Sequence, residues 1–248
     1  MTALRSRRNR RNRLSDRAAS WVREAIIAGK LHEGDRLYPE KLAEELDISV
    51  TPAREGLLAV EGEGFVEMVP RKGFVVSPLS SEDIRDIFIS QALICGELAS
   101  RAALKMSDAD VEELFAVQAE LERAVSEDDY TAYAVANHRF HRMINVAANA
   151  PKMVWLLAIT LRYTSPSLYT ETSGWLEASC TDHHTILDAL RQRDAETSRA
   201  AMVEHMTHLG DLLAARIAAS EGRAGEGDGG DDRVRIPAGA SVPATKPA

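Results

Sequence analysis

Six of the seven histidines in this 248-residue chain sit in three short clusters: "NHRFH" with His138 and His141, the pair His183 and His184, and "HMTH" with His205 and His208. Imidazole is the commonest metal ligand and also an ordinary hydrogen-bonding core group, so the direction of each ring decides between the two chemistries. A helix turns about 100° per residue, and its apolar stripe marks the inward side. Around "NHRFH" the stripe is set by Tyr133, Phe140, Ile144 and Ala147, which places Asn137 inside it, His141 at its edge and His138 well outside. Leu176, Ile186, Leu187 and Leu190 turn His183 inward and leave His184 to one side. Met202, Leu209, Leu212 and Leu213 do the same for His205 and displace His208 toward solvent.

Each cluster thus contributes one inward histidine, on three helices of one bundle. Three imidazoles, with the amide of Asn137 one turn before His141, form a donor set for a divalent ion of the zinc or nickel type, and bundle cores commonly house such sites. A single inward histidine is more often a satisfied core residue; three together favour a shared polar pocket. The same set with one open position also describes catalytic zinc. A metalloenzyme needs a general base as well. No HExxH occurs, and Glu204 beside His205 points to another side of its helix, so the reading is of a binding protein, not an enzyme. A further alternative makes the metal itself the signal, in a metal-responsive regulator.

Long helices must position these residues, and the chain beyond Pro78 supplies them. Helical patterns broken at "MSD", "SEDD", "NAP", "TSPS", "TSGW" and "RQRD" predict six helices over 82–105, 108–126, 128–149, 151–165, 174–191 and 194–220. The front of the chain has another texture. "RSRRNRRNR" over 5–13 carries six arginines and nothing apolar, which predicts a disordered arm suited to phosphates or a narrow minor groove. Ala18, Trp21, Val22, Ala25 and Ile26 then mark a helix that stops at Gly29; a second helix follows over 40–46, and a third from Thr51 to about Glu63. "GFVEMVPRKGFVVSP" gives two short strands around a Pro-Arg-Lys-Gly turn. Three helices and a hairpin are the order of a winged helix-turn-helix. The fold class is therefore mainly α, with an N-terminal winged helix-turn-helix and a C-terminal all-α bundle.

Charge divides the chain in the same place. Residues 1–76 hold 14 Lys+Arg against 12 Asp+Glu, and the remainder 16 against 26, so a polyanion is expected at the front only. The start of the third helix has the chemistry to read duplex DNA: Ser49 and Thr51 offer hydroxyls to phosphates, and Arg54 a guanidinium to a guanine edge. Leu57, Leu58 and Val60 are read as its packing side, and Arg71 and Lys72 as the wing tip, with Gly73 reversing the backbone. Neither a membrane span nor a secretory signal is expected, which points to the cytoplasm, and Cys95 and Cys180 make neither a disulfide framework nor a metal motif.

The stretch "AIIAGKLHEGDRLYPEKLAEELDISVTPAREGLLAVEGEGFVEMVPRKGFVV" resembles the N-terminal domain of the GntR family of bacterial transcription regulators, and the helical half is similar to its FadR-type effector domain (FCD). The resemblance covers about residues 14–220. It implies a homodimer on a palindromic operator, released or retained by a small-molecule effector, with repressor action where binding releases it. By that resemblance the DNA contacts fall on Lys41, Thr51, Arg54, Arg71 and Lys72, and metal-binding positions match Asn137, His141, His183 and His205. The implied organisation is a basic arm over 1–13, a DNA-binding domain over 14–78, an effector-binding and dimerisation domain over 79–220 and a disordered tail over 221–248. Three departures stand out. Val50 replaces a frequent arginine, Asn137 an aspartate, and Gln91 and Cys95 an arginine–glutamate pair on the first helix of the effector domain. Gln91 and Arg139 are taken as effector-binding candidates, with Arg101, Arg162, Tyr163 and Tyr169 as further polar groups.

Overall fold

The computed structural model describes residues 2–164 and 172–224. These residues form two compact units that divide after Leu79. The first contains α1 (Thr2–Ile27), β1 (Arg36–Leu37), α2 (Pro39–Leu46), α3 (Val50–Glu61), β2 (Val66–Val69) and β3 (Gly73–Val76). Ala18, Trp21, Val22, Ala25 and Ile26 of α1 are all buried. The helix does not wait for Leu14: it starts at Thr2 and takes in the arginine run, so the disordered arm is corrected to helix. Arginine is a good helix former, and extending a helix costs far less than nucleating one. At the other end Gly29 adopts φ 68°, and the Lys30 and Leu31 amides donate to the Ala25 carbonyl at 2.8 and 3.0 Å.

Pro39 opens α2, where a missing N–H costs least, and Asp47 ends it in the left-handed region at φ 49°. Asp47, Ile48 and Ser49 then turn the chain into α3, which buries Pro52, Ala53, Gly56, Leu57 and Val60. Leu58, read as packing, is instead 43% exposed, because it lies one turn beyond Arg54 on the outer side. The sheet runs β1-β3-β2 and is antiparallel throughout, with Leu37 opposite Phe74 and Val69 opposite Gly73. A two-residue β1 leaves no alternation in the sequence that would mark it as a strand. The whole is a winged helix-turn-helix.

The second unit is an all-α bundle of α4 (Ser81–Ala103), α5 (Asp108–Ser126), α6 (Tyr130–Ala147), α7 (Pro151–Thr160) with a 3-10 turn at Leu161–Tyr163, α8 (Trp175–Arg191) and α9 (Ala195–Ala224). Two helices start with reciprocal caps: Ser80 with Asp83, and Ser107 with Asp110. α4 and α9 pack closely because glycines stand where they meet. A Cβ on Gly96 would lie 2.6 Å from Val203 Cγ2, and one on Gly210 would lie 2.5 Å from Phe88 Cβ. Residues 221–224, expected in the tail, continue α9; the rest of that tail and Tyr169 lie outside the described residues. Among the described residues, no helix is long and apolar enough to cross a membrane.

The same close approach joins α3 to α1: a Cβ on Gly56 would sit 2.6 Å from Ala18 Cβ and 2.9 Å from two α1 backbone atoms. Gly56→Ala is therefore expected to lower stability by about 1–3 kcal/mol, the scale of an overpacked core. Gly62→Ala, whose nearest atoms are 3.6 Å away, should be close to neutral. Urea unfolding of the two variants checks the contrast.

Candidate metal centre and nucleic-acid interface

Helices α6, α8 and α9 bring His141, His183 and His205 together. Their ligand nitrogens all lie within 4.8 Å of one another. The rings stand 5.2 Å (His141 to His183), 5.4 Å (His141 to His205) and 4.8 Å (His183 to His205) apart, and the His183 ring stacks on Phe140 at 4.0 Å. His183 and His205 are fully buried, and His141 is partly so. His138, His184 and His208 are exposed. Burial, then the charges of His205 and His138, push the His141 pKa down to about 3. Burial, with His205, His141 and His184 behind it, holds His183 well below the ordinary imidazole range. Both rings are neutral near pH 7, the state a metal ligand requires.

Two neighbours set which nitrogen of a ring carries the proton. Gln118 donates through Nε2 to the Cys180 carbonyl (3.1 Å) and to Glu122 Oε1 (2.9 Å), which leaves its Oε1 facing His183 Nδ1 at 3.0 Å. An amide oxygen only accepts, so Nδ1 of His183 holds the hydrogen and Nε2 is a lone pair. The lone pair has only a long 3.5 Å contact with Ser179 Oγ. Asp182 Oδ2 likewise accepts from His205 Nδ1 at 3.4 Å, and from His208 Nδ1 at 3.1 Å. His205 Nε2 is buried with no hydrogen-bond partner. Burial works to raise the Asp182 pKa, and the bonds and charges of His205 and His208 outweigh it, so the carboxylate is held below its usual range. Metal-ligating imidazoles are commonly fixed in this way by a carboxylate or carbonyl behind them. Neither Gln118 nor Asp182 was found from sequence. Gln118 was within reach, because it falls four after Leu114 and three before Leu121 on the buried stripe of α5. Asp182 offered no comparable signal.

The remaining candidates separate. Asn137 Oδ1 is buried and without a hydrogen-bond partner. Gln91 is fully buried on α4; its Nε2 donates to the Thr160 carbonyl at 3.0 Å, and its Oε1 has no partner. Arg139 is exposed and paired with Glu113 at 2.7 Å and Glu120 at 3.3 Å, so it stands outside the bundle core. Its neighbour Phe140 holds the inward direction, and one residue along a helix turns the side chain away. Arg101 is also exposed, paired with Glu97 at 2.7 Å. Cys95 is buried, and that burial pushes its thiol up to about 12, which makes it an inert core group.

In the first unit Ser49, Thr51 and Arg54 stand exposed at the start of α3. Ser49 precedes the helix with its hydroxyl unused in capping. Val50, at the first helical position, is 40% exposed. Lys41 is exposed on α2 and pairs with Glu44 at 3.1 Å, a solvated contact weak enough to exchange for a phosphate. Arg71 and Lys72 are exposed at the wing tip, where Arg71 takes φ 67° and Gly73 φ 77°. The sequence assigned the reversal to Gly73 alone. A non-glycine residue in that region is strained, and such strain gathers where a side chain must be presented.

Comparison with known proteins accounts for both units. Residues 14–76 match the model of the gntR family of bacterial regulatory proteins, and residues 86–208 match the FCD domain. An HTH-type transcriptional regulator from the TAR-I ttuE-ttuC' intergenic region of Agrobacterium vitis is 30% identical over 132 residues, covering 51% of this chain and 76% of that protein. The chain belongs to the GntR family. LutR of Bacillus subtilis is 26% identical across 76% of this chain and 95% of its own length. The solved structure of Escherichia coli McbR/YncC shares the fold, with a TM-score of 0.64 at 23% identity over 82% of this chain and 98% of that one. The matched families and relatives are transcriptional regulators and not enzymes. This GntR-family chain is accordingly a DNA-binding transcriptional regulator with an FCD effector domain.

The buried imidazoles of the regulator give it a pH dependence whose sign is fixed. Between pH 6.5 and about 3 the unfolded chain protonates at His141 and the folded chain does not. The unfolded state then binds more protons, so stability falls as pH falls through that window. Chelator-treated protein should lose stability from pH 7 to pH 5, and His141→Gln should flatten the slope by about 1.4 kcal/mol per pH unit, one proton's worth. Urea midpoints across the range measure it.

Proposed function

We propose that this regulator binds a palindromic operator as a homodimer, and that its FCD bundle adjusts the grip through a small-molecule effector held beside a divalent metal. The observation that carries the reading is the convergence of His141, His183 and His205 on one point, with His205 Nε2 and Asn137 Oδ1 buried and unsatisfied. A buried polar atom without a partner costs about 1–3 kcal/mol, so His205 Nε2, unpaired where the three rings meet, asks for an occupant. The donor set fits zinc or nickel: three imidazoles converge, two of them are oriented from behind, and Asn137 stands one turn before His141 on α6. A bound ion would supply Lewis acidity toward an effector oxygen or nitrogen.

Gln91 narrows the chemistry of that effector. The Thr160 carbonyl accepts only, so it fixes Gln91 Nε2 toward itself and leaves Oε1 as the free group. Thr164 Oγ1 and Thr172 Oγ1 are buried without partners as well. A ligand reaching Gln91 therefore brings a hydrogen-bond donor there, a hydroxyl or an amine. The metal-responsive alternative draws on Asn137, because a neutral amide suits a site of modest affinity that fills and empties with metal supply.

Homodimerisation is supported by an apolar surface on the helical unit. α7 buries Leu157 and leaves Trp155 61%, Leu156 48% and Ile159 39% exposed; α4, on which it packs, leaves Leu93 67% exposed. Apolar groups gathered in this way mark an association surface, and a two-fold dimer matches two half-sites.

A palindromic duplex from beside the protein's own gene should bind in preference to random duplex, and the affinity should fall steeply with salt. Fluorescence anisotropy with chelator, then with added zinc or nickel, separates a sensing metal from a structural one. No preference over random DNA would remove the palindromic-operator reading. Asp182→Asn is expected to weaken zinc binding about 10–100-fold with the melting temperature of the apo protein little changed, read by competition with a chromophoric chelator. Trp155→Glu combined with Leu93→Glu should shift the protein from dimer to monomer in sedimentation equilibrium. An unchanged dimer places the interface elsewhere.

A further inference from the structure

The outer line of α3 runs Val50, Arg54 and Leu58, spaced four apart so that their side chains lie one above another. The first and last are apolar, yet Val50 is 40% and Leu58 43% exposed. Val50 occupies the first helical position, directly after Ser49, at the end of a recognition helix that meets base edges. A valine there forms no hydrogen bond with a base or a phosphate. It has two methyl groups held on a stiff β-branched side chain. The major groove of DNA offers one apolar group for them, the C5-methyl of thymine.

We propose that Val50 reads a thymine methyl in each operator half-site, beside the guanine read by Arg54. This rests on the DNA-binding reading of α3 and adds a sequence preference to it. One helical turn advances about 5.4 Å and one base step about 3.4 Å, so the thymine lies within one or two base pairs of that guanine. Thr51, exposed beside Val50, keeps the phosphate contact that a hydroxyl can make. The stripe is thus split by chemistry: Arg54 supplies hydrogen bonds, and Val50 supplies burial of a methyl.

The test uses full-length protein and a random duplex pool from which bound sequences are selected and read. Each thymine of the enriched half-site is then replaced singly by deoxyuridine, which removes the methyl and keeps every hydrogen-bonding group. One position is expected to lose about fourfold in affinity for each methyl removed, the value of one buried carbon. With Val50→Ala the same replacement should have no effect, and Val50→Arg should move the selected base at that position toward guanine. Because Val50 is partly exposed and outside the core, both variants should keep the parent melting temperature. Silent methyls at every position, or an equal loss in parent and Val50→Ala, overturns the proposal and leaves DNA binding intact. A pool that enriches no sequence overturns both together.

Discussion

A lone pair buried in a protein interior needs a partner, and the helical unit of this regulator aims several at one point. His183 and His205 each have Nδ1 engaged from behind, by Gln118 and Asp182, so that each Nε2 is left as an acceptor facing inward. Without those bonds an imidazole would exchange tautomers and lose its aim. The rest of the bundle maintains this condition. Gly96 and Gly210 let α4 and α9 approach closely, which fixes α9, and with it the height of His205. Phe140 stacks on the His183 ring and keeps its plane. Stability elsewhere in the unit offsets the cost of holding unsatisfied atoms here, the usual pattern at sites kept for a ligand.

The two units solve opposite electrostatic problems. The front unit presents cations outward, at Arg54, Arg71 and Lys72, and pairs Arg23 with Glu63 at 2.7 Å where a charge is partly buried between α1 and the end of α3. Its charges serve a polyanion, and the exposed ones contribute little to folding. The acidic helical unit instead neutralises most of its arginines on its own surface: Arg139 with Glu113 and Glu120, and Arg199 with Glu97. Those arginines are thereby engaged within the unit that carries them.

Much of this was legible in the sequence because helix periodicity carries direction as well as type. The inward placement of His141, His183 and His205 follows from the spacing of Phe140, Ile144, Ile186, Leu190, Leu209 and Leu213, each of which is buried. The order of three helices and a hairpin was equally clear. What escaped had a physical cause in each instance. β1 is too short to alternate. The arginine run looked like coil by composition, whereas its attachment to α1 makes helix the cheaper state. Arg139 was chosen for its charge, and its neighbour Phe140 holds the inward direction. Asp182 acts across a helix–helix contact, from α8 onto His205 of α9, and periodicity within one helix does not register a partner on another.

Asn137 brings these threads to one question of charge. On the reading proposed above, imidazole and amide ligands would leave a divalent ion its whole charge, where a carboxylate would have cancelled part of it. The carboxylate that faces the site is Asp182, and it acts one bond removed, through His205 Nδ1. A carboxylate behind an imidazole makes the opposite nitrogen more electron-rich, so part of the missing negative charge reaches the centre through the ring. His208 draws on the same Oδ2, at 3.1 Å against 3.4 Å for His205. Both histidines draw on one oxygen, so on that reading how strongly His205 would donate to an ion depends on what exposed His208 takes from Asp182. On the same reading, a site weakened by its asparagine would be adjustable from the surface of the bundle.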